Sequence, residues 1–241
     1  MRTMRWRWWR LIAAARLRRL GGRLVVDAAA APRLDGPLRL ETGPSPGTLT
    51  LRIGRAVRIG RDCVLDLADG ADGVVELADG ALLQSRVRLQ PWGGAIRIGE
   101  HTQVRDGCEL KSKGELRVGA RVVCARLTSL HCHEAITIRD DVGLGDRVSI
   151  TDSDHTNDGS GTPFLQQPVV AEPVVLGHNV LCATNVVVLK GTRIGADTVV
   201  AAGAVVAGGE HPSGWLIGGV PAQPLRQLRV GAHDDPPVPL R

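Results

Sequence analysis

The sequence predicts an all-β fold, a left-handed parallel β-helix in which short strands wind around a narrow three-sided core. Aliphatic or thiol side chains recur every six residues from Leu176 to Val206 without a gap. A period of six fits neither an α-helix nor an ordinary strand, but it fits a solenoid whose coils each have three flat faces. A narrow core also suits the composition, because 43% of the residues are hydrophobic and only 2% are aromatic.

The same register extends towards the N-terminus with gaps, which predicts a β-helix domain over residues 51–209. Apolar residues do not recur at the spacing of an amphipathic helix, so a helical solenoid is excluded. Four residues after many of the register positions a small or β-branched residue follows, as at Val122 and Val148, which indicates a second inward-facing position. The register positions are Ile53, Ile59, Leu65, Leu77, Leu83, Leu89, Ile98, Val104, Leu110, Val118, Cys124, Leu130, Ile138, Leu144 and Ile150.

The gaps in the register fall at one corner of the predicted coils. Ile98, Val118 and Ile138 lie twenty residues apart, so each of these coils has about two residues beyond the ideal eighteen. In each coil the extra residues follow the third strand and are polar. A much longer excess between Ile150 and Leu176 predicts a protruding loop over residues 156–173 at the same corner.

Residues 1–50 are predicted to form a short basic helix followed by a linker. Residues 1–24 are rich in Trp and Arg and contain Gly21-Gly22, which would end the helix, and residues 27–50 are rich in Ala, Pro and Gly. Trp beside Arg favours a membrane–water interface, so residues 1–20 are a candidate for peripheral membrane contact. A lid packed on the solenoid and a frayed tail are the competing interpretations of this segment.

Charge and cysteine usage limit the function classes. The net charge of +5 is concentrated in the first twenty-odd residues, which argues against a nucleic-acid partner for the body of the protein. The five cysteines form no CxxC pair and are expected to be buried, reduced thiols. With no apolar stretch of transmembrane length, we expect a cytoplasmic protein, with the inner face of the cell membrane as its candidate location.

Three motifs carry a resemblance to a known family. They are Asp-Ser-Asp-His-Thr at 152–156, the uninterrupted repeat at 174–206, and Gly-Gly-Val-Pro-Ala-Gln-Pro-Leu-Arg at 218–226, within a predicted C-terminal tail of residues 210–241. With these motifs the chain resembles the hexapeptide-repeat acyltransferases. It is most similar to the sugar O-acetyltransferases related to maltose, galactoside and nodulation-factor acetyltransferases and to polysaccharide-biosynthesis acetyltransferases.

The resemblance implies an enzyme, an acetyl-CoA-dependent O-acetyltransferase that acts on a saccharide hydroxyl in cell-surface polysaccharide or glycolipid biosynthesis. Transfer would be direct, with His155 as general base. Histidine suits this role because its pKa lies close to neutrality. Either Asp152 or Asp154 could accept the second ring N–H of His155, and the sequence does not choose between them.

The resemblance also implies residues for the donor, acetyl-CoA, and no metal. In the family a backbone N–H stabilises the oxyanion, and this position maps onto Ala183 or Thr184. The pantetheine arm would lie near Ala202 and Gly203. Arg226 is the best remaining candidate for binding the phosphates of the donor.

For the acceptor, His133 and Ser153 are candidate contacts, and a homotrimer with sites between its subunits is implied. The acceptor sugar, the length of the acyl group and O- versus N-transfer remain open, and an N-acetyltransferase acting on an amino sugar nucleotide is the nearest alternative. The sequence favours two further functions less: a γ-carbonic-anhydrase-like metal enzyme that uses His131 and His133 with His155 or His178, and a non-catalytic scaffold.

Overall fold

The computed structural model describes residues 2–228, with side chains from residue 4 onwards. Within this range a helix, α1 (Arg2–Arg19), precedes three long sheets of parallel strands that wind into a left-handed β-helix of about nine turns. Each coil contributes one strand in turn to sheet A, sheet B and sheet C. The predicted fold is thereby confirmed. The last part of the predicted tail, residues 229–241, lies outside the described residues.

The strands of sheets A and C shorten towards the C-terminus, whereas those of sheet B have two residues each until the final hairpin. The first three coils comprise β1 (Arg23–Ala28), β2 (Arg33–Leu34), β3 (Leu38–Thr42), β4 (Thr48–Ile53), β5 (Arg58–Ile59), β6 (Cys63–Leu67), β7 (Gly73–Leu77), β8 (Leu82–Leu83) and β9 (Arg88–Pro91). The next three comprise β10 (Ala95–Ile98), β11 (Gln103–Val104), β12 (Glu109–Ser112), β13 (Glu115–Val118), β14 (Val123–Cys124), β15 (Ser129–Cys132), β16 (Ala135–Ile138), β17 (Gly143–Leu144) and β18 (Ser149–Thr151). After the hairpin β19 (Ser153–His155) and β20 (Val169–Ala171) follow β21 (Val174–Leu176), β22 (Leu181–Cys182), β23 (Val187–Val188), β24 (Thr192–Ile194), β25 (Val199–Val200), β26 (Val205–Val206), β27 (Gly209–His211), β28 (Trp215–Gly219) and β29 (Ala222–Gln227).

The interior of the coils contains the residues that the six-residue register selects. Every register position from Ile53 to Val206 is buried, and none exposes more than 6% of its surface. The second inward-facing positions, such as Val122 and Val148, are buried as well. Full burial of one such aliphatic side chain contributes about 1.5–3 kcal/mol. The five cysteines, all within the described residues, are buried free thiols, and burial raises the pKa of Cys182 to about 12.

Small residues at the corners are needed because neighbouring coils approach closely there. A Cβ on Gly54 or Gly119 would lie 2.5 Å from a carboxylate oxygen of the following coil. The left-handed backbone conformation belongs instead to a residue two positions later, Ala56 or Arg121, with φ of 54° in both cases. Close stacking rather than positive φ is thus the reason for these corner glycines.

The solenoid begins earlier than the sequence suggested. β1 pairs in parallel with β4 over six residues, and β2 and β3 pair with β5 and β6. The prediction of a linker over residues 27–50 was therefore wrong, and the proposed domain boundary at residue 51 falls inside β4. The Pro and Gly residues that suggested a linker lie largely between these strands, where the chain turns from one face to the next.

Helix α1 covers the N-terminal end of the solenoid. Trp6, Ala13 and Leu17 are each at most 2% exposed and belong to the core, and Trp9 stacks on Trp6 with ring centroids 5.1 Å apart. The Arg16 guanidinium donates a hydrogen bond to the carbonyl oxygen of Leu40 at 2.9 Å. Of the three interpretations of this segment, the packed lid is correct and the frayed tail is wrong.

At the other end of the solenoid the last two strands form an antiparallel hairpin. β29 folds back on β28 and covers the open edge of sheet B, which would otherwise expose unpaired backbone groups. The Gly218–Arg226 motif lies in this hairpin. Over the described residues, no helix combines the length and the hydropathy that a membrane span requires.

Candidate active site

His155 lies where the coils are interrupted. We call the corner between sheet C and the next strand of sheet A the CA corner, and the corner between sheets B and C the BC corner. At the CA corner after β18 the chain leaves as the antiparallel hairpin β19–β20 and returns to β21. The backbone N–H of Glu172 donates to the carbonyl oxygen of Asp152 at 2.8 Å, which closes the base of the hairpin. The predicted loop, residues 156–173, forms most of this hairpin, which itself begins at Ser153.

The imidazole of His155 is exposed at this corner. Its ring meets the ring of Phe164 edge to face, with centroids 5.7 Å apart and an interplanar angle of 86°. Phe164 belongs to the 3₁₀ turn Phe164–Gln166 and is itself half exposed. Over residues 2–228, no hydrogen bond to either ring nitrogen of His155 is seen. The ring is thus supported by an apolar contact with Phe164.

The carboxylate of Asp152 does not reach His155. Asp152 is fully buried, and its two oxygens accept the backbone N–H groups of His133, Glu134 and Ala135 at 2.6, 2.8 and 2.8 Å. Three bonds of this kind use the carboxylate to stabilise the CA corner of the preceding coil. The hypothesis that Asp152 orients the catalytic imidazole was therefore wrong.

Asp152 belongs to a series of aspartates that bind the corner one coil below. In each pair a carboxylate oxygen accepts a backbone N–H of the preceding coil at 2.6–3.0 Å. The pairs are Asp69 with Ser45, Asp72 with Thr48, Asp79 with Arg55, Asp106 with Ser85, Asp140 with Ala120, and Asp146 with Arg126. Asp152 differs from these in being fully buried and in binding three N–H groups.

Asp154 does not contact His155 either. Adjacent residues of a strand point to opposite faces, so Asp154 on β19 points away from His155. The Nζ atom of Lys190 lies 3.5 Å from a carboxylate oxygen of Asp154 and 3.3 Å from one of Glu172. The hydrogen bond that Lys190 donates to Glu172, followed by the charge of Asp154, raises the pKa of Lys190. These ion pairs link the hairpin to the next coil.

The residues expected to bind the donor stack at the BC corner. Ala183 and Thr184 lie in one coil there, and Ala202 and Gly203 lie above them in the next. Ala202 and Gly203 are exposed, and a Cβ on Gly203 would meet no atom within 4 Å. The corner thus offers open space beside small side chains, which fits an extended pantetheine arm.

Only one of the two candidate oxyanion donors is available. The backbone N–H of Ala183 donates to the carbonyl oxygen of Val200 at 2.9 Å within the coil ladder. The N–H of Thr184 has no acceptor among the described residues. In two earlier coils the corresponding N–H group at the BC corner does have an acceptor. There Asp106 and Asp146 occupy the position of Ala202, and their carboxylates accept the N–H groups of Ser85 and Arg126 in the preceding coil.

One chain does not bring the base and the donor corner together. His155 leaves from the CA corner and Thr184 lies at the BC corner, at opposite ends of a sheet C strand. The six residues from Thr184 to Lys190 span roughly 20 Å in extended conformation. Within one chain, a site that uses both groups would have to span this length of sheet C.

Arg226 lies apart from the other candidate donor residues. It is exposed on β29 and pairs with Leu216, near the start of β28, whereas Gln223 pairs with Gly218 near its end. Because β28 runs in parallel with β25 towards the BC corner, Gln223 is nearer to that corner than Arg226. The backbone of Arg226 thus lies beside the end of β28 that is farther from Ala202.

The candidate acceptor residues do share one corner. His133 and Ser153 lie at the CA corner in successive coils, and the carboxylate of Asp152, the residue before Ser153, binds the N–H of His133. His131 lies on the outer face of sheet C between Lys111 and Thr151. Burial, followed by the charge of Lys111, lowers the pKa of His131, so this ring is neutral at pH 7.

Three groups at this corner were not singled out from the sequence. Phe164 supports the ring of His155, Lys190 binds Asp154, and Trp92 lies under the Nζ atom of Lys111, which is 4.2 Å from the centre of its ring. Phe164 is the single Phe of the chain and lies in the predicted loop, so its position was a usable signal. Trp92 and Lys190 carried no such signal.

The histidines considered for a metal site do not gather within the described part of the chain. His178 lies at the corner between sheets A and B, with its Nδ1 atom 3.5 Å from Asp141. His131 and His133 lie on and beyond the far end of sheet C. Over residues 2–228, three or more His, Cys, Asp or Glu side chains nowhere form a group that could hold a metal ion.

No protein-family model matches the chain, but known proteins resemble it, among them the following three. A "Probable acetyltransferase" of Mycobacterium tuberculosis is 30% identical over 159 residues, which are 66% of this chain and 51% of that protein. A 2,3,4,5-tetrahydropyridine-2,6-dicarboxylate N-acetyltransferase of Staphylococcus aureus is 36% identical over 73 residues, 30% of either protein. A hexapeptide-repeat acetyltransferase of Vibrio cholerae, whose crystal structure was determined in complex with acetyl-coenzyme A, is 28% identical in sequence to this chain. The two structures superpose with a TM-score of 0.51 over 55% of this chain and 71% of that one. The chain thus spans about half the length of the mycobacterial relative and less than a third of the staphylococcal one.

Proposed function

Because the chain belongs to the hexapeptide-repeat acetyltransferase family, we propose that it transfers an acetyl group from acetyl-CoA to a hydroxyl group of a saccharide. The observation that carries this proposal is the exposed imidazole of His155 at the one interrupted corner of the coils. A saccharide or glycolipid precursor of a cell-surface polysaccharide is the proposed acceptor, with His133 and Ser153 beside it.

In the proposed reaction His155 acts as a general base and then as a general acid. A neutral ring nitrogen takes the proton of the acceptor hydroxyl while the hydroxyl oxygen attacks the thioester carbonyl carbon. When the tetrahedral intermediate collapses, the C–S bond breaks and the imidazolium returns the proton to the departing thiolate. Such proton transfer contributes about 10²- to 10⁴-fold to the rate. The N–H of Thr184 would stabilise the oxyanion.

The distance between the two corners supports a homotrimer with its sites between subunits. His155 of one subunit would face Thr184, Ala202 and Gly203 of the next, so that each site takes its base and its donor groove from different chains. A closed ring of three subunits repeats this heterologous contact without leaving an open end.

An N-acetyltransferase is the second candidate. The staphylococcal relative is named as an N-acetyltransferase and is 36% identical over its aligned segment. An amine acceptor must also lose a proton as it attacks, so the same base and oxyanion donor would serve. The two candidates differ in the acceptor, and matched hydroxyl and amino sugars distinguish them.

The test is thiol release from acetyl-CoA in the presence of hydroxyl sugars and amino sugars, with His155→Ala as the variant. We expect kcat to fall by about 10²-fold or more while the KM for acetyl-CoA stays within about threefold. His101→Asn is the matched control, because His101 is an exposed corner histidine with φ of 55° that asparagine tolerates. Equal kcat values for His155→Ala and wild type would refute the assignment of the base.

A further inference from the structure

Helix α1 has a second apolar face that the solenoid does not cover. While Trp6, Ala13 and Leu17 point into the core, Met4, Trp8, Leu11 and Ile12 are all more than half exposed. Their spacing of three to four residues places them along one side of the helix, opposite the buried one. The helix is therefore apolar on two opposite sides, and only one of them is explained by its role as a lid.

Arginines line both edges of this outer face. Arg7, Arg10 and Arg18 lie on one side of it and Arg5 on the other, Arg19 lies beyond its C-terminal end, and all five are exposed. The helix contains no Asp or Glu. A groove of about 540 Å³ runs along one edge, between the helix and the first coil, and is lined mainly by apolar residues that include Trp8, Ile12 and Pro37.

We infer that this outer face of α1 docks on the surface of an anionic lipid bilayer. An apolar stripe between two rows of arginine fits such a surface, because the stripe enters the acyl boundary while the guanidinium groups stay at the phosphates. A second copy of this face is a poor partner, since it would bring two rows of uncompensated arginines together. Nucleic acid would use the arginines but leave the apolar stripe between them in water.

This geometry changes which tryptophan contacts the lipid. Trp6 and Trp9 are turned towards the core, and only Trp8 is presented outwards. In a homotrimer of the kind proposed above, cyclic symmetry would place three such faces at the same height, and their binding would reinforce one another. The docking itself does not depend on the acetyltransferase activity or on the trimer.

The test measures binding of the full chain to vesicles of phosphatidylcholine, with and without about one third phosphatidylglycerol, by co-sedimentation. We expect binding to the anionic vesicles that weakens with added salt. The double variant Leu11→Ser/Ile12→Ser should lower the partition coefficient by roughly tenfold or more. Leu127→Ser is the control, because Leu127 is a similarly exposed leucine of the solenoid body, and it should bind as wild type.

Two further measurements keep the result unambiguous. The thermal midpoint of the double variant should match that of wild type, since both side chains are exposed. His155→Ala should bind vesicles normally, so a failure of the acetyltransferase proposal is separable from a failure of this one. Equal binding by the double variant and wild type, loss of self-association in the double variant, or binding of nucleic acid without binding of vesicles would overturn the inference.

Discussion

The two corners that flank sheet C are built to different rules. At the BC corner, successive register positions are always six residues apart, as from Ile59 to Leu65 and from Val200 to Val206. At the CA corner the separation is twelve residues from Leu65 to Leu77, twenty-six from Ile150 to Leu176 and six from Val188 to Ile194. The coils therefore stack through corners of constant length, and one corner takes up every insertion.

This difference explains where the candidate chemistry lies. A corner of fixed length can place a backbone N–H and a groove of small residues at a repeatable position, as at Thr184 and Gly203. A corner of variable length can carry a hairpin and an exposed proton acceptor without disturbing the stacking, as at His155. In the proposed trimer, the BC corner of one chain would meet the CA corner of another and so join the two functions.

The largest effect is expected from removing the carboxylate of Asp152, which stabilises the CA corner. Asp152→Ala removes a buried carboxylate and leaves three backbone N–H groups without their acceptor, which should lower the free energy of unfolding by about 3 kcal/mol. Asp146→Ala is the matched control at the constant corner, where the carboxylate is partly exposed and accepts one N–H, and it should cost about 1 kcal/mol. Urea denaturation of both variants measures the difference, and equal losses would contradict the special role of Asp152.

A smaller effect, on rate rather than stability, is expected from placing an acceptor at Ala202, as earlier coils have at the equivalent position of the BC corner. Ala202→Asn places a carbonyl oxygen where Asp106 and Asp146 have theirs, so it should bind the N–H of Thr184 and compete with the oxyanion. Loss of one such donor lowers kcat by about 10²-fold. Ala202→Val is the control, because valine adds bulk without an acceptor. If the two variants lose the same activity, steric exclusion rather than the N–H of Thr184 is responsible.

Much of the fold was readable from the sequence, because the register of a solenoid is local. Each coil repeats the same inward positions, so the period from Leu176 to Val206 identifies strands, faces and core together. The first coil, from β1 to β3, was missed although Ala28, Leu34 and Leu40 keep the six-residue spacing, because the surrounding Ala, Pro and Gly residues suggested a linker. The role of Asp152 was misassigned because its partners, the N–H groups of residues 133–135, belong to the backbone and leave no mark in the side-chain pattern.

The smallest effect is expected from the aspartate that the sequence could not separate from Asp152. If Asp154 accepted a hydrogen bond from a ring N–H of His155, as the carboxylate of a triad does, removing this carboxylate would lower kcat by orders of magnitude and would shift the pH–rate profile. In the structure the carboxylate of Asp154 instead lies 3.5 Å from the Nζ atom of Lys190, on the face of β19 opposite His155. Asp154→Asn should therefore change kcat/KM by less than about threefold and leave the apparent pKa of the pH–rate profile in place. Glu172→Gln, which removes the other carboxylate of Lys190, should behave alike. A pH–rate profile that is displaced in Asp154→Asn but not in Glu172→Gln would show that Asp154 acts on the imidazole during turnover. In that case His155 and Asp154 of the same chain would form the base–carboxylate pair.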